Sequence, residues 1–84
     1  MIVLKPVTID INGIYVTASL KKEFDSGKAE KIAEEFLENN LSEPIQVRQG
    51  NGRFVLIKGV HRLEAMKALG ESKIEAFIVS ARQH

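Results

Sequence analysis

The sequence predicts a small single-domain α+β fold, a mixed sheet with about two main helices in the order βαββαβ. Apolar residues recur at helical spacing in two separate segments, and short alternating or apolar segments stand before, between and after them. The 84 residues leave room for one hydrophobic core. We therefore expect a single domain over residues 1–84, with a core at about 7–79 and a frayed polar tail at 80–84.

The first strand is predicted by residues 7–11, where apolar and polar side chains alternate. Asn12-Gly13 then separates this strand from a second apolar segment at residues 14–16. Asn-Gly is typical of a β-hairpin turn, but the pair also fits a bulge within one bent strand, so both alternatives stay open. Lys21 to Asp25 is predicted to form a polar connection.

The first helix is predicted to begin at Asp25 or Ser26, either of which can cap it. Asn39-Asn40 tolerates the left-handed conformation that ends helices, and Pro44 confirms the break. One face of this helix is apolar because five side chains recur at helical spacing: Ala29, Ile32, Ala33, Phe36 and Leu37.

The second half of the chain begins with a short strand at residues 45–48 and a Gly-rich turn at 49–52. The next strand, 53–58, is predicted to be antiparallel to it, and to be central and covered on both sides because both of its faces are apolar. A second helix over about His61 to Leu69 ends at Gly70, and residues 74–79 form the last strand.

Composition limits the function without naming it. A net charge of +1, from 12 basic and 11 acidic residues, does not predict nucleic-acid binding from bulk electrostatics. The chain has no Cys, which excludes a disulfide frame, a thiolate metal site and a thiol nucleophile. We expect no metal site, no membrane association and a cytoplasmic location, because no apolar run is long enough to span a bilayer and Met1 to Lys5 lacks a signal-peptide pattern.

The candidate binding site is the junction at Gly59, where an apolar strand passes directly into a helix. The first N–H groups of a helix have no internal acceptors and attract anions. Gly59 and Val60 would supply backbone N–H groups, His61 and Arg62 would contact phosphate oxygens, and Lys58 could assist. The alternative is an ordinary strand–Gly–helix junction, which most α/β domains contain.

Two segments carry a family resemblance. Residues 32–48, IAEEFLENNLSEPIQVR, look like a helix, a turn and a "PI-x-V" strand, and residues 53–65, RFVLIKGVHRLEA, look like the box "Y-x-L-I-x-G-E-R-R-x-x-A". Both resemble the N-terminal domain of ParB-like proteins, in the ParB/sulfiredoxin superfamily. The resemblance runs from about residue 7 to residue 79 and implies the ParB/sulfiredoxin-like fold.

The resemblance implies a nucleoside triphosphate ligand, CTP or ATP, with magnesium. In partition proteins the Glu of the box is implicated in magnesium binding and hydrolysis, but Val60 stands at that position, which argues against CTP hydrolysis because hard cations prefer oxygen ligands. Sulfiredoxins carry "G-C-H-R-x-E-A"; Val60 also replaces their Cys nucleophile, so sulfiredoxin chemistry is excluded. Free serine kinases of this fold have an Asp base where this chain has Lys58.

This chain thus lacks one residue that each of the three related activities needs, while it keeps the residues expected to bind phosphate. We expect a stand-alone ParB-like nucleotide- or phosphate-binding module that acts in DNA partition or another DNA-related process, lacks the helix-turn-helix domain, contacts DNA non-specifically and self-associates or binds a protein partner. One alternative is an enzyme, a phosphotransferase or nuclease, for which Glu35 is the candidate catalytic carboxylate. Another is an interaction protein that has lost ligand binding.

Overall fold

A five-stranded mixed sheet organises the molecule. The computed structural model describes residues 5–39 and 43–79. The strands are β1 (Val7–Asp10), β2 (Ile14–Tyr15), β3 (Ile45–Gln49), β4 (Phe54–Lys58) and β5 (Lys73–Ile78), and the helices are α1 (Ala18–Lys22), α2 (Ser26–Asn39) and α3 (Val60–Ala68). The expected α+β class with a mixed sheet is confirmed.

The pairing pattern alternates in direction across the sheet. β1 and β5 are antiparallel, β5 and β3 are parallel, β3 and β4 are antiparallel as predicted, and β4 and β2 are parallel. The register places Gln46 opposite Lys58, so the beginning of β3 lies beside the end of β4. This pairing brings the residues just before β3 close to the beginning of α3.

The hydrophobic core lies between one face of the sheet and the helices. Cross-strand partners share a face, and the buried pairs Ile9–Ile74, Ile45–Ala76 and Val47–Leu56 therefore mark the covered face. From α3, Leu63 and Met66 pack into this core as predicted, and Ile32, Ala33 and Phe36 of α2 pack against it. Leu37 was expected on the same apolar face but is 69% exposed and does not belong to the side chains that pack against the core.

The segment before α2 differs from the sequence prediction. Lys21 to Asp25 was predicted to be a polar connection, but Lys21 and Lys22 belong to the short helix α1. Thr17 begins this helix, since its side chain accepts a hydrogen bond from the N–H of Leu20. The structure therefore has three helices within the residues that it describes, and the connection shrinks to the residues between α1 and α2.

Neither alternative for Asn12-Gly13 is correct. Residues Ile11–Gly13 form a 3₁₀ turn, and β1 and β2 lie at opposite edges of the sheet, so they do not pair as a hairpin. Ile11 donates its N–H to the carbonyl of Ser72, which holds the end of β1 to the segment before β5. The chain then crosses to the far edge and joins β4.

The predicted coverage of β4 on both faces is wrong at one residue. β4 does lie inside the sheet, between β3 and β2, and Val55 and Leu56 are buried. Ile57 is 42% exposed, so the strand is not fully covered at its end.

The ends of the two main helices follow their sequence signals. Asp25 Oδ1 accepts hydrogen bonds from the N–H groups of Gly27 and Lys28 and so caps α2, which ends at Asn39. α3 ends before Gly70, whose φ is +81°. Asn40 and the tail at 80–84 lie outside the described residues. Within residues 5–39 and 43–79, no helix has both the length and the apolar character needed to cross a membrane.

Candidate functional site

The candidate site lies where β4 passes into α3 with only Gly59 between them. Gly59 has φ +111° and ψ +31°, and α3 begins at Val60 without a capping side chain. The first backbone bond of the helix runs from the N–H of Leu63 to the carbonyl of Gly59, at 2.9 Å. The N–H groups of residues 59–62 therefore have no acceptor within the helix, which gives this end a partial positive charge.

The glycine at this junction has a structural cause of its own. A Cβ at residue 59 would lie 2.6 Å from Cγ2 and 3.0 Å from Cβ of Ile45, which is 1% exposed. The positive φ also disfavours any side chain there. Gly59 is thus required by packing against β3, and the presence of glycine alone is no argument for a ligand.

Two depressions flank the start of α3. The first, which we call the β3-side depression, has a volume of 330 Å³ and is lined by Glu43, Gln46 and Phe77. The second, the α1-side depression, has a volume of 390 Å³ and is lined by Leu20, Glu23 and His61. Both are also lined by the same three predicted site residues: Lys58, Gly59 and Arg62.

Lys58 and Arg62 supply the positive charge of the site. Lys58 is exposed at the end of β4, and Arg62 is half-buried on the first turn of α3. Among the residues that the structure describes, the ion pairs are Glu64–Lys67 and Asp10–Lys73, so neither Lys58 nor Arg62 is neutralised by a carboxylate there. Two cations thus lie beside the free N–H groups of the helix.

The side chain of Val60 does not face the site. Val60 is 5% exposed and belongs to the hydrophobic core together with Leu63 and Met66. Only its backbone N–H is available at the beginning of the helix. Its side chain instead anchors the first turn of α3 to the rest of the domain.

His61 is turned towards the connection between α1 and α2. Its Nε2 accepts a hydrogen bond of 2.9 Å from the backbone N–H of Asp25. Its ring stacks on Phe24, with centroids 5.7 Å apart and an angle of 19° between the planes. The ring nitrogen that could reach a phosphate is therefore Nδ1, and a contact from His61 to a phosphate stays a prediction.

Carboxylates border the site, but from positions that sequence reasoning missed. Glu35 is exposed on α2 and lines neither depression. Glu23 and Glu43 do line them, one in each. The position of Glu43 could have been predicted, because antiparallel pairing of β3 and β4 places the start of β3 beside Lys58. Nothing in the sequence indicated that Glu23 would lie at the site.

Comparison with known proteins identifies the family that the chain matches. The family model described as "ParB N-terminal domain" matches residues 4–84. A probable chromosome-partitioning protein ParB of Campylobacter jejuni is 43% identical over 58 residues, which are 69% of this chain and 21% of the relative. The chain thus spans about a fifth of the length of that curated relative.

Solved structures share the fold. Sulfiredoxin from Arabidopsis thaliana superposes with a TM-score of 0.79 at 23% identity, over 92% of this chain and 86% of the other. A free serine kinase mutant in complex with ADP superposes with a TM-score of 0.77 at 17% identity, over 88% of this chain and 30% of the kinase. At these identities the likeness concerns the fold, and it agrees with the sheet and helices described above.

Proposed function

The chain belongs to the family of ParB N-terminal domains, and on this premise we propose that it is a nucleotide-phosphate-binding module that acts in chromosome partition or another DNA-related process in the cytoplasm. The observation that carries the proposal is the pair Lys58 and Arg62, unneutralised within the described chain, beside the free N–H groups at the start of α3. Phosphate is the anion that such an arrangement suits best.

Each group has a distinct part in holding a phosphate. The N–H groups of residues 59–62 point out of the helix and donate to phosphate oxygens. The guanidinium of Arg62 presents paired donors that match two oxygens of one phosphate. The ammonium of Lys58 adds a compact positive charge beside the guanidinium, since Lys58 and Arg62 line the same two depressions.

CTP or ATP with magnesium is the ligand we propose. Depressions of 330 and 390 Å³ fall within the usual range of small-molecule sites, about 300–1,000 Å³. The fold is shared with a kinase whose structure holds ADP, which supports a nucleotide rather than a bare phosphate. Magnesium is usually held by one or two carboxylates together with nucleotide phosphates, and Glu23 and Glu43 are the carboxylates that border the site.

The experiment is an amide NMR titration of the whole chain with CTP, ATP, ADP and inorganic phosphate, each with and without magnesium. Binding at the proposed site moves the signals of Gly59 to Leu63 first. The signals of β1 serve as the internal control. Asp10 of this strand lines a third depression, together with Arg53 and Lys73, which we call the far depression. No shift at millimolar concentrations of any of the four ligands would refute the proposal.

A phosphotransferase is the second candidate function, favoured by the carboxylates at the site. A general base must lie within reach of the group that it deprotonates, and Glu43 and Glu23 satisfy this better than Glu35, which lines neither depression. Phosphate transfer from labelled ATP to serine would be measured for wild type, Glu43→Gln, Glu23→Gln and Glu35→Gln. Transfer by wild type that is lost only in Glu43→Gln or only in Glu23→Gln would support an enzyme. No transfer by wild type would contradict the phosphotransferase and favour the binding module.

We also propose that the ligand controls assembly, with self-association or non-specific DNA contact as the output. The family membership is the support for both partners. Sedimentation velocity with and without CTP–magnesium, in the presence and absence of duplex DNA, tests this directly. A sedimentation coefficient that no ligand or DNA changes would contradict it.

A further inference from the structure

His61 joins the beginnings of two helices through a bond to a residue 36 positions away in the sequence. It occupies the first turn of α3, and the N–H that it accepts belongs to Asp25, the capping residue of α2. The stacked ring of Phe24 holds the imidazole in place from the same connection. Glu23 of this connection also lines the α1-side depression, so His61 holds in place the segment that carries Glu23.

The geometry assigns the tautomer of the neutral ring. A ring nitrogen that accepts a hydrogen bond cannot carry a proton, so Nε2 is bare and the proton of the neutral ring is on Nδ1. The imidazolium form has protons on both nitrogens and cannot accept from Asp25. The bond from the Asp25 N–H therefore exists only while the ring is neutral, and a proton added to the ring removes it.

We propose that His61 is a proton-controlled latch between α3 and the connection of α1 to α2. Neutral His61 holds the connection against the start of α3 through the Asp25 N–H. Protonation breaks that bond, releases the connection together with Glu23, and places a third cation beside Lys58 and Arg62. If the proposed function is correct, an anionic ligand favours the released form; the latch itself needs no ligand.

The charged groups around His61 come from both sides of the depression. Glu23 and Asp25 belong to the connection, and Lys58 and Arg62 belong to β4 and α3. The carboxylate of Asp25 is occupied by the N–H groups of Gly27 and Lys28, so it stays with α2 when the latch opens. Leu20 of α1 and Ile32 of α2 line the same depression and are apolar. Phe24 lines a neighbouring depression together with the charged residues Lys21, Glu64 and Lys67.

The test measures two NMR quantities on the unliganded whole chain. Long-range ¹H–¹⁵N spectra at pH 8 should show the proton of His61 on Nδ1. The hydrogen-exchange protection factor of the Asp25 amide should fall about fivefold or more between pH 8 and pH 5, as expected when one hydrogen bond is lost. Unchanged protection of Val47 and Leu56 amides shows that the domain remains folded.

Two variants separate the latch from a purely structural role. In His61→Gln the side-chain carbonyl can accept from Asp25 but does not titrate, so protection should be the same at both pH values. In His61→Phe the stack on Phe24 is kept and the acceptor is lost, so protection should be low at both. A proton on Nε2, constant protection in wild type, or an equal fall in His61→Gln would overturn the proposal.

Discussion

Replacing Gly59 with alanine should destabilise the domain by about 3 kcal/mol. The backbone has φ +111° at this residue, and an alanine there costs about 1 kcal/mol relative to glycine. The added methyl would lie 2.6 Å from Cγ2 of Ile45, and overpacking of a buried residue costs about 1–3 kcal/mol. Since the Cβ of Ile45, at 3.0 Å, does not move when the side chain changes rotamer, a rotamer change of Ile45 alone does not relieve the contact.

The assay is urea denaturation followed by circular dichroism. For a chain of this size the free energy of unfolding falls by about 1 kcal/mol per molar urea. The midpoint of Gly59→Ala should therefore lie about 3 M below that of wild type, or the variant should be unfolded without urea. Unfolding of the variant in buffer agrees with the prediction, because small domains have little stability to lose.

Two other glycines serve as controls. Gly70 has φ +81°, but no atom of the described residues lies within 4 Å of the place that a Cβ would take, so Gly70→Ala should cost only the backbone share, about 1 kcal/mol. Gly13 has neither a positive φ nor such a neighbour in the described chain, so Gly13→Ala should change stability by less than about 0.5 kcal/mol. If Gly59→Ala were no more destabilising than Gly70→Ala, the close packing of Gly59 on Ile45 would be refuted.

Three further substitutions test the core, the surface and the site. Leu63→Ala removes a side chain with 0% exposure and should lower the free energy of unfolding by about 2–5 kcal/mol in the same urea assay. Lys73→Ala breaks an ion pair of 2.8 Å with Asp10, but both side chains are more than half exposed, so the loss should stay below about 1 kcal/mol and vanish in high salt. Glu35→Gln should leave nucleotide binding, measured by calorimetry, unchanged, because Glu35 lines neither depression; weaker binding would show that α2 contributes to the site.

Local patterns predicted the parts of the fold that local chemistry determines. The boundaries of α2 and α3 follow from Asp25, Asn39 and Gly70, and β3 and β4 lie within one residue of their predicted positions. The prediction for the first two strands failed because Asn12-Gly13 indicates a turn but does not indicate which strands pair with each other. β1 pairs with β5 and β2 pairs with β4, and both partners come much later in the chain.

The short helix α1 was missed because it offers little periodicity. It has five residues and one inward apolar side chain, Leu20, so no apolar stripe can be recognised. Thr17 was its one local signal, as a capping residue before Ala18. The consequence for the site was direct, since α1 and its connection to α2 bring Glu23 and Phe24 to the α3 junction.

The sequence predicted the part of the candidate site that one continuous segment forms. Lys58, Gly59 and Arg62 come together as expected because they surround a single strand–helix junction. The orientation of His61 could not be predicted, since it depends on an amide 36 residues away. Glu43 and Glu23 likewise enter only through tertiary packing.

The most direct test of nucleotide-phosphate binding compares two arginine variants. Arg62→Gln removes the charge at the start of α3, and Arg53→Gln removes a matched charge that lies 4.0 Å above the ring of Tyr15, by the far depression. Affinity for CTP–magnesium and ATP–magnesium is measured by calorimetry for both variants and wild type. We predict at least about tenfold weaker binding for Arg62→Gln, from the loss of a charged hydrogen bond, and no change for Arg53→Gln. Equal affinities in all three proteins, or no binding by wild type, would contradict nucleotide-phosphate binding at the start of α3.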